Sequence, residues 1–170
     1  MIFIDIPNGS LVDLLKKFGP LANDVIKAYT KQILKGLKYL HDHSIIHRDI
    51  KGANILVGND GVLKLSDFGA SKRLEDLIYG NETEKRRMSL RGTPNWMAPE
   101  VIKQEPYGRQ ADIWSLGCTV IEMATGSPPW EEYGDNMAVL FHIASTTTPP
   151  PFPPSMPRDG QNFLSLCMEM

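Results

Sequence analysis

One segment of this chain has little freedom in where it can sit. From Asp112 onward, Ile113, Leu116, Gly117, Val120, Ile121 and Ala124 recur at helical spacing, and Gly126 suits the C-terminal stop. The helix is apolar over much of its circumference, so it is expected to be buried. A chain of 170 residues with 42% hydrophobic and 22% charged content can form the compact core that such a helix needs.

Other elements follow from the same periodicities. A second long helix is expected over about residues 23–41, with Ile26, Tyr29, Ile33, Leu37 and Leu40 at helical spacing. A shorter helix precedes it. Ser10 is its cap with Asp13 three residues on, Leu11, Leu14, Leu15 and Phe18 form its apolar face, and Gly19-Pro20 ends it. Residues 2–6, IFIDI, read as a short strand broken by Pro7-Asn8-Gly9. Ile45-Ile46 leads into a polar loop, residues 47–54. Ile55-Leu56-Val57, a GNDG turn and Val62-Leu63-Lys64-Leu65 then make a small hairpin with that loop in front of it.

Residues 70–97 are polar, include the charged run at 82–87 and have no clear period, so they are expected to form a long loop, functional or disordered. Residues 146–157, TTTPPPFPPSMP, read as an inter-helix loop, with a polyproline ligand as the alternative. Phe163, Leu164, Leu166 and Cys167 are expected to start a further helix in which the chain stops.

The formal net charge of -2 gives no bulk electrostatic case for nucleic-acid binding or for a polybasic membrane surface. Cys118 and Cys167 lie far apart without metal-ligand spacing, which fits a reduced, intracellular protein. The start lacks a basic region and a long apolar run, so no signal peptide is expected, and no segment is long enough to span a bilayer. The expected location is cytoplasmic, with the nucleus also open.

The chemistry is concentrated in HRDIKGANIL, residues 47–56, where His47, Arg48, Asp49, Lys51 and Asn54 crowd into eight positions. Asp67-Phe68-Gly69 follows the hairpin, and Ala98-Pro99-Glu100 closes the long polar segment. Each residue alone has an ordinary explanation: a structural histidine, a solvated ion pair, a turn asparagine. The ordered set HRDxKxxN, DFG and APE resembles the catalytic half of a eukaryotic protein kinase. The resemblance covers residues 1–170 as one partial kinase domain, from the hinge through the start of a late helix of the large lobe. The fold it implies is protein-kinase-like (α+β): a mostly α-helical large lobe with a small β-hairpin, the small lobe absent.

The resemblance assigns roles residue by residue. Asp49 would orient the substrate hydroxyl and accept its proton. Lys51 would place positive charge beside the γ-phosphate, and with Asn54 these residues form the catalytic set. Asn54 and Asp67 would offer hard oxygen ligands to Mg²⁺, whose other ligands come from ATP phosphates and water. Lys51, Asn54, Leu56 and Asp67 would bind ATP, Leu56 as the apolar floor under adenine, and residues 3–6 would be the hinge. Gly69 would permit the backbone turn after Asp67. His47, Arg48, Phe68, Gly69 and Asp112 would support the site, Asp112 by hydrogen-bonding backbone around the His-Arg-Asp turn.

Lys51, two residues after Asp49, and Gly92-Thr93-Pro94 resemble the serine/threonine form, Thr93 lying near Asp49 and Lys51. HRDIKGANILV, DFGASKRL and GTPNWMAPEVI are similar to a MAP kinase kinase kinase, whose protein substrate would be a MAP kinase kinase. A sterile-20-like kinase is the nearest alternative branch. In the activation segment, Ser89 is the first candidate for phosphorylation and Thr83 the second. Arg48 with Lys72 or Arg73 would pair that phosphate. Glu100 would lack an arginine partner supplied later in the family fold.

His41, His43, His142, Glu122 and Trp114 match no catalytic role and read as surface or packing residues. Two functions stay open. One is part of an active serine/threonine kinase that is inactive as an isolated fragment. The alternative is a non-catalytic, kinase-derived binding or scaffold module.

Overall fold

The computed structural model describes residues 9–74 and 94–169. Their order is α1 (Leu11–Phe18), α2 (Asn23–Asp42), β1 (Ile45–Ile46), β2 (Ile55–Val57), β3 (Leu63–Leu65), β4 (Lys72–Arg73), α3 (Pro99–Ile102), α4 (Gln110–Thr125), α5 (Asn136–Ser145) and α6 (Arg158–Cys167). Helix dominates, with two small two-stranded sheets. The expected strand at residues 2–6 and the hinge at 3–6 lie outside the described residues.

The helix ends follow the expected chemistry. Ser10 and Asp13 exchange bonds: Ser10 N–H donates to Asp13 Oδ2 at 2.8 Å and Asp13 N–H donates to Ser10 Oγ at 3.2 Å. Gly19 closes α1 at φ 76°, its N–H bonding Leu15 O. In α2, Ile26, Ile33, Leu37 and Leu40 are buried, while Tyr29 packs at the margin of the core. Asp135 caps α5 through the Met137 and Ala138 amides at 2.8 and 2.9 Å.

Helix α4 is the axis of the packing. It buries every residue from Trp114 to Met123, together with Ala111 and Asp112. Ile113 and Ala124, expected on its core stripe, are only partly buried. The helix is surrounded over most of its length rather than seated on one face, so its polar residues must be satisfied locally. Ser115 and Thr119 return their hydroxyls to Ala111 O and Ser115 O at 3.0 and 2.8 Å. Helix α6 approaches so closely that a Cβ on Gly117 would meet Met168 Cε at 2.9 Å and Cys167 Cβ at 3.0 Å. Gly126 ends α4 at φ 81°.

The hairpin pairs Ile55 with Leu65 and Val57 with Leu63. Gln32 of α2 pins it, accepting from Leu63 N–H at 3.0 Å and donating to Gly61 O at 3.1 Å.

Three expectations need correction. Residues 70–97 are not wholly irregular: Lys72 and Arg73 form β4, antiparallel to Ile46 and Ile45 of β1. A two-residue strand has no readable alternation, and its partner lies 26 to 28 positions away in the chain. Helix α6 starts at Arg158, not at Phe163, and ends at Cys167, with the Met168 N–H bonded to Leu164 O. Within it, Leu166 is 75% exposed. Residues 146–157 do lie between α5 and α6, and Pro150, Pro153 and Met156 are buried there, as suits a packed connection.

Candidate active site

The 47–54 loop crosses the N-terminal end of α4, and a buried acid organises it from below. Asp112 has no exposed surface. Its Oδ2 accepts the His47 N–H at 2.9 Å and its Oδ1 the Arg48 N–H at 2.8 Å. His41 Nε2, from the last turn of α2, lies 2.8 Å from Oδ2 and donates to it. This is the backbone role expected for Asp112, with His41 as an addition that the sequence did not reveal. Held this way, Arg48 sits at φ 69°, a left-handed conformation that a non-glycine residue keeps only where its surroundings impose it.

His47 supports the loop from within. Its side chain is fully buried, with Nε2 3.0 Å from Ser66 O and Nδ1 accepting the Asp49 N–H at 3.4 Å. The Phe68 ring packs on it at 5.0 Å between centroids. Burial holds the imidazole below its ordinary pKa, so it is neutral near pH 7 and carries its proton on Nε2.

On the open side, Lys51 Nζ donates to Asp49 Oδ2 at 2.9 Å. Asn54 Nδ2 donates to the same oxygen and to Asp49 O, each at 2.8 Å. Asp49, Lys51 and Asn54 therefore meet at one carboxylate oxygen. A basic group and an amide on one side of the carboxylate fix its orientation.

The hairpin brings the metal candidates into register. Ser66 N–H and Oγ bond Asn54 O at 2.9 and 3.0 Å, so Asp67 follows directly from the residue fastened to Asn54. Asp67 is exposed, and it is Asp67 itself that turns left-handed, at φ 59°, with Oδ1 accepting the Gly69 N–H at 3.3 Å. This corrects the role expected of Gly69, which has no positive φ. A carboxylate oxygen and the Asn54 amide oxygen are hard donors that fit Mg²⁺. No cluster of three or more histidine, cysteine or acidic residues that could hold a metal occurs among the described residues. Leu56 is half-buried, on the face of β2 opposite the buried Ile55 and Val57.

Arg48 Nη1 donates to the Tyr107 hydroxyl at 3.2 Å. The candidates Thr83, Ser89 and Thr93 lie outside the described residues. Glu100, in the first turn of α3, is half-buried. Burial, with Glu105 nearby, raises its pKa, and among the described residues it has no ion-pair partner.

Glu122 is structural, as expected, but its contact with the loop was not anticipated from the sequence. Its Oε2 accepts the Gly52 N–H at 3.0 Å and the Trp96 indole N–H at 3.1 Å. An acid inside an otherwise apolar helix was the available signal. His41 and Tyr107 carried none, since their partners are distant in the chain. His142 is a packing residue as expected, stacked on Tyr133 at 4.2 Å.

Among the described residues no helix is long and apolar enough to cross a membrane. A model of the protein kinase domain family matches residues 1–170. Mitogen-activated protein kinase kinase kinase A of Dictyostelium discoideum is 52% identical over 169 residues, covering 99% of this chain and 17% of its own length. Mitogen-activated protein kinase kinase kinase ANP1 of Arabidopsis thaliana is 51% identical over 164 residues, covering 96% of this chain and 24% of its own. Mitogen-activated protein kinase kinase kinase 3 of Homo sapiens is 51% identical over 164 residues, covering 96% and 26%. The chain thus spans a quarter or less of the first curated relatives it matches.

Proposed function

Because this chain belongs to the protein kinase family, we propose that it carries the catalytic loop of a serine/threonine kinase of the MAP kinase kinase kinase type. The reaction is transfer of the ATP γ-phosphoryl group to a serine or threonine hydroxyl of a MAP kinase kinase. The observation that carries this reading is the convergence of Lys51 and Asn54 on Asp49 Oδ2, at 2.9 and 2.8 Å. A scaffold has no chemical need for a carboxylate held in this way.

MgATP, when bound, supplies the phosphoryl group and the metal charge that offsets it. The chain's own residues do the rest. Asp49 orients the hydroxyl and takes its proton at Oδ1. Lys51 would place positive charge beside the γ-phosphate as negative charge shifts in the transition state. Asn54 uses Nδ2 to hold Asp49, which leaves its oxygen, together with Asp67, for the metal. Leu56 supplies an apolar surface for adenine. The choice of serine or threonine over tyrosine rests on Lys51, on Gly92-Thr93-Pro94, and on similarity to relatives with MAP kinase kinase kinase names.

The test is turnover by the full-length kinase on a MAP kinase kinase, with the phosphorylated residues mapped. Asp49→Asn keeps the shape and removes the base, so kcat should fall about 10²–10⁴-fold with little change in the KM for ATP. An Asp49→Asn enzyme with full turnover, or a product phosphorylated on tyrosine, overturns the reading. An inactive wild type that still binds partners favours the non-catalytic binding module.

A further inference from the structure

The net charge of -2 hides a local concentration of the opposite sign. On α2, Lys27, Lys31, Lys35 and Lys38 recur at helical spacing. At about 3.6 residues per turn they fall within about 80° of the helix circumference, along about 16 Å of its axis. All four are exposed. Lys27 Nζ lies 3.5 Å from Asp159 Oδ2, and Lys38 Nζ lies 2.8 Å from Asp42 Oδ2. Lys31 and Lys35, in the middle of the row, have no ion-pair partner among the described residues. Like charges four positions apart weaken a helix. A local rule broken without a compensating contact is where a binding role is expected.

The row borders a cleft between α2 and α6. Its volume is about 390 Å³, within the range of about 300–1,000 Å³ typical of ligand pockets. Ile26, Leu34, Val120, Met156 and Phe163 line it, and the exposed Lys27 and Lys31 stand at its edge. The Thr30 hydroxyl on the α2 wall donates to Ile26 O at 2.7 Å, which leaves that wall largely apolar.

Spacing and charge together indicate what fits. Lys27, Lys31 and Lys35 follow one another about every 6 Å along the axis. In an extended peptide, side chains on one face repeat about every 6.8 Å. Acids at alternate positions of an extended segment therefore meet successive lysines, and an apolar side chain of the same segment can enter the cleft. A flat anionic bilayer fits less well, because it would also meet Asp24, Asp42 and Asp159, which are exposed beside the row.

We propose that the lysine row of α2 and the adjoining cleft form a docking site for an extended acidic segment of a partner protein, with one large apolar side chain seated between α2 and α6. The site uses none of the residues assigned to phosphoryl transfer, so it does not rest on the kinase reading.

The test uses the full-length protein and the fluorescence anisotropy of a labelled peptide, one phenylalanine followed by glutamates at alternate positions. The peptide should bind, and bind more weakly as salt rises. Lys31→Glu combined with Lys35→Glu should weaken binding about tenfold or more. A peptide with lysines in place of the glutamates should bind this double variant better than it binds wild type. Both positions are exposed, so the double variant should keep the wild-type thermal midpoint. Alanine in place of the peptide's phenylalanine should also weaken binding about tenfold. Should the double variant unfold, the peptide variants measured on wild-type protein decide. Four results overturn the proposal: no binding of the glutamate peptide, binding unchanged by the double variant, binding indifferent to the phenylalanine, or retention on phosphatidylserine vesicles without binding of the peptide.

Discussion

The two faces of the 47–54 loop use the same residue types in opposite ways. On the buried face Asp112 receives two backbone N–H groups and a histidine, and Glu122 receives a backbone N–H and an indole. On the open face Asp49 receives a lysine and an asparagine side chain. Donors fixed in the backbone or in packed rings cannot swing away, so the buried acids set the shape of the loop permanently. Side-chain donors on single bonds can release and re-form contacts when a ligand arrives. Acids on the two faces of one loop thus differ in the kind of donor that holds them.

The largest expected effect on folding is on the buried face. Asp112→Ala leaves two backbone N–H groups and His41 without an acceptor, and should destabilise the chain by about 3–5 kcal/mol in a denaturant titration. A variant as stable as wild type would break the comparison. Asp112→Asn keeps one acceptor and turns a donor toward another donor, so about 1–3 kcal/mol should be lost. Asp49→Ala, on the open face, should change stability by about 1 kcal/mol or less while abolishing turnover. A loss as large as that of Asp112→Ala would show that the open face also holds the fold.

A pH titration sharpens the same contrast. His47 is buried and neutral, with its folded pKa below the ordinary 6.5. Below pH 6.5 the unfolded chain takes up a proton that the folded chain refuses. This contribution to stability is complete above 6.5 and is lost as pH falls through the lowered folded value. The midpoint of unfolding should drop over that window, and His47→Gln should remove that part of the slope. The smallest effect is at the surface pair Lys38–Asp42 on α2, where both side chains are more than half exposed. Lys38→Ala should leave the thermal midpoint unmoved in a calorimetric scan.

Some of this was legible in the residues. The Ser10–Asp13 exchange, the span of α2, the β2–β3 hairpin and the stop at Gly126 depend on neighbours within a few positions, and the structure matches them. The contact of Asp112 with the His47 and Arg48 amides was anticipated from motif resemblance. Strand β4, the start of α6, the His41–Asp112 bond and the two ends of Glu122 were not. Each depends on a partner far along the chain: 70 residues separate Gly52 from Glu122 and 71 separate His41 from Asp112.

The sequence by itself determined the local elements and the order of the charged motifs, because turn chemistry, capping and helical period act over a few residues. It also determined that α4 would be buried, since an apolar circumference has no stable place in water. Only the tertiary structure decided which buried polar atom meets which donor. Excluding water around α4 leaves Asp112 and Glu122 no partners but those that packing delivers. Desolvation makes a missing partner expensive, so the contacts that packing happens to permit become the ones that hold the site.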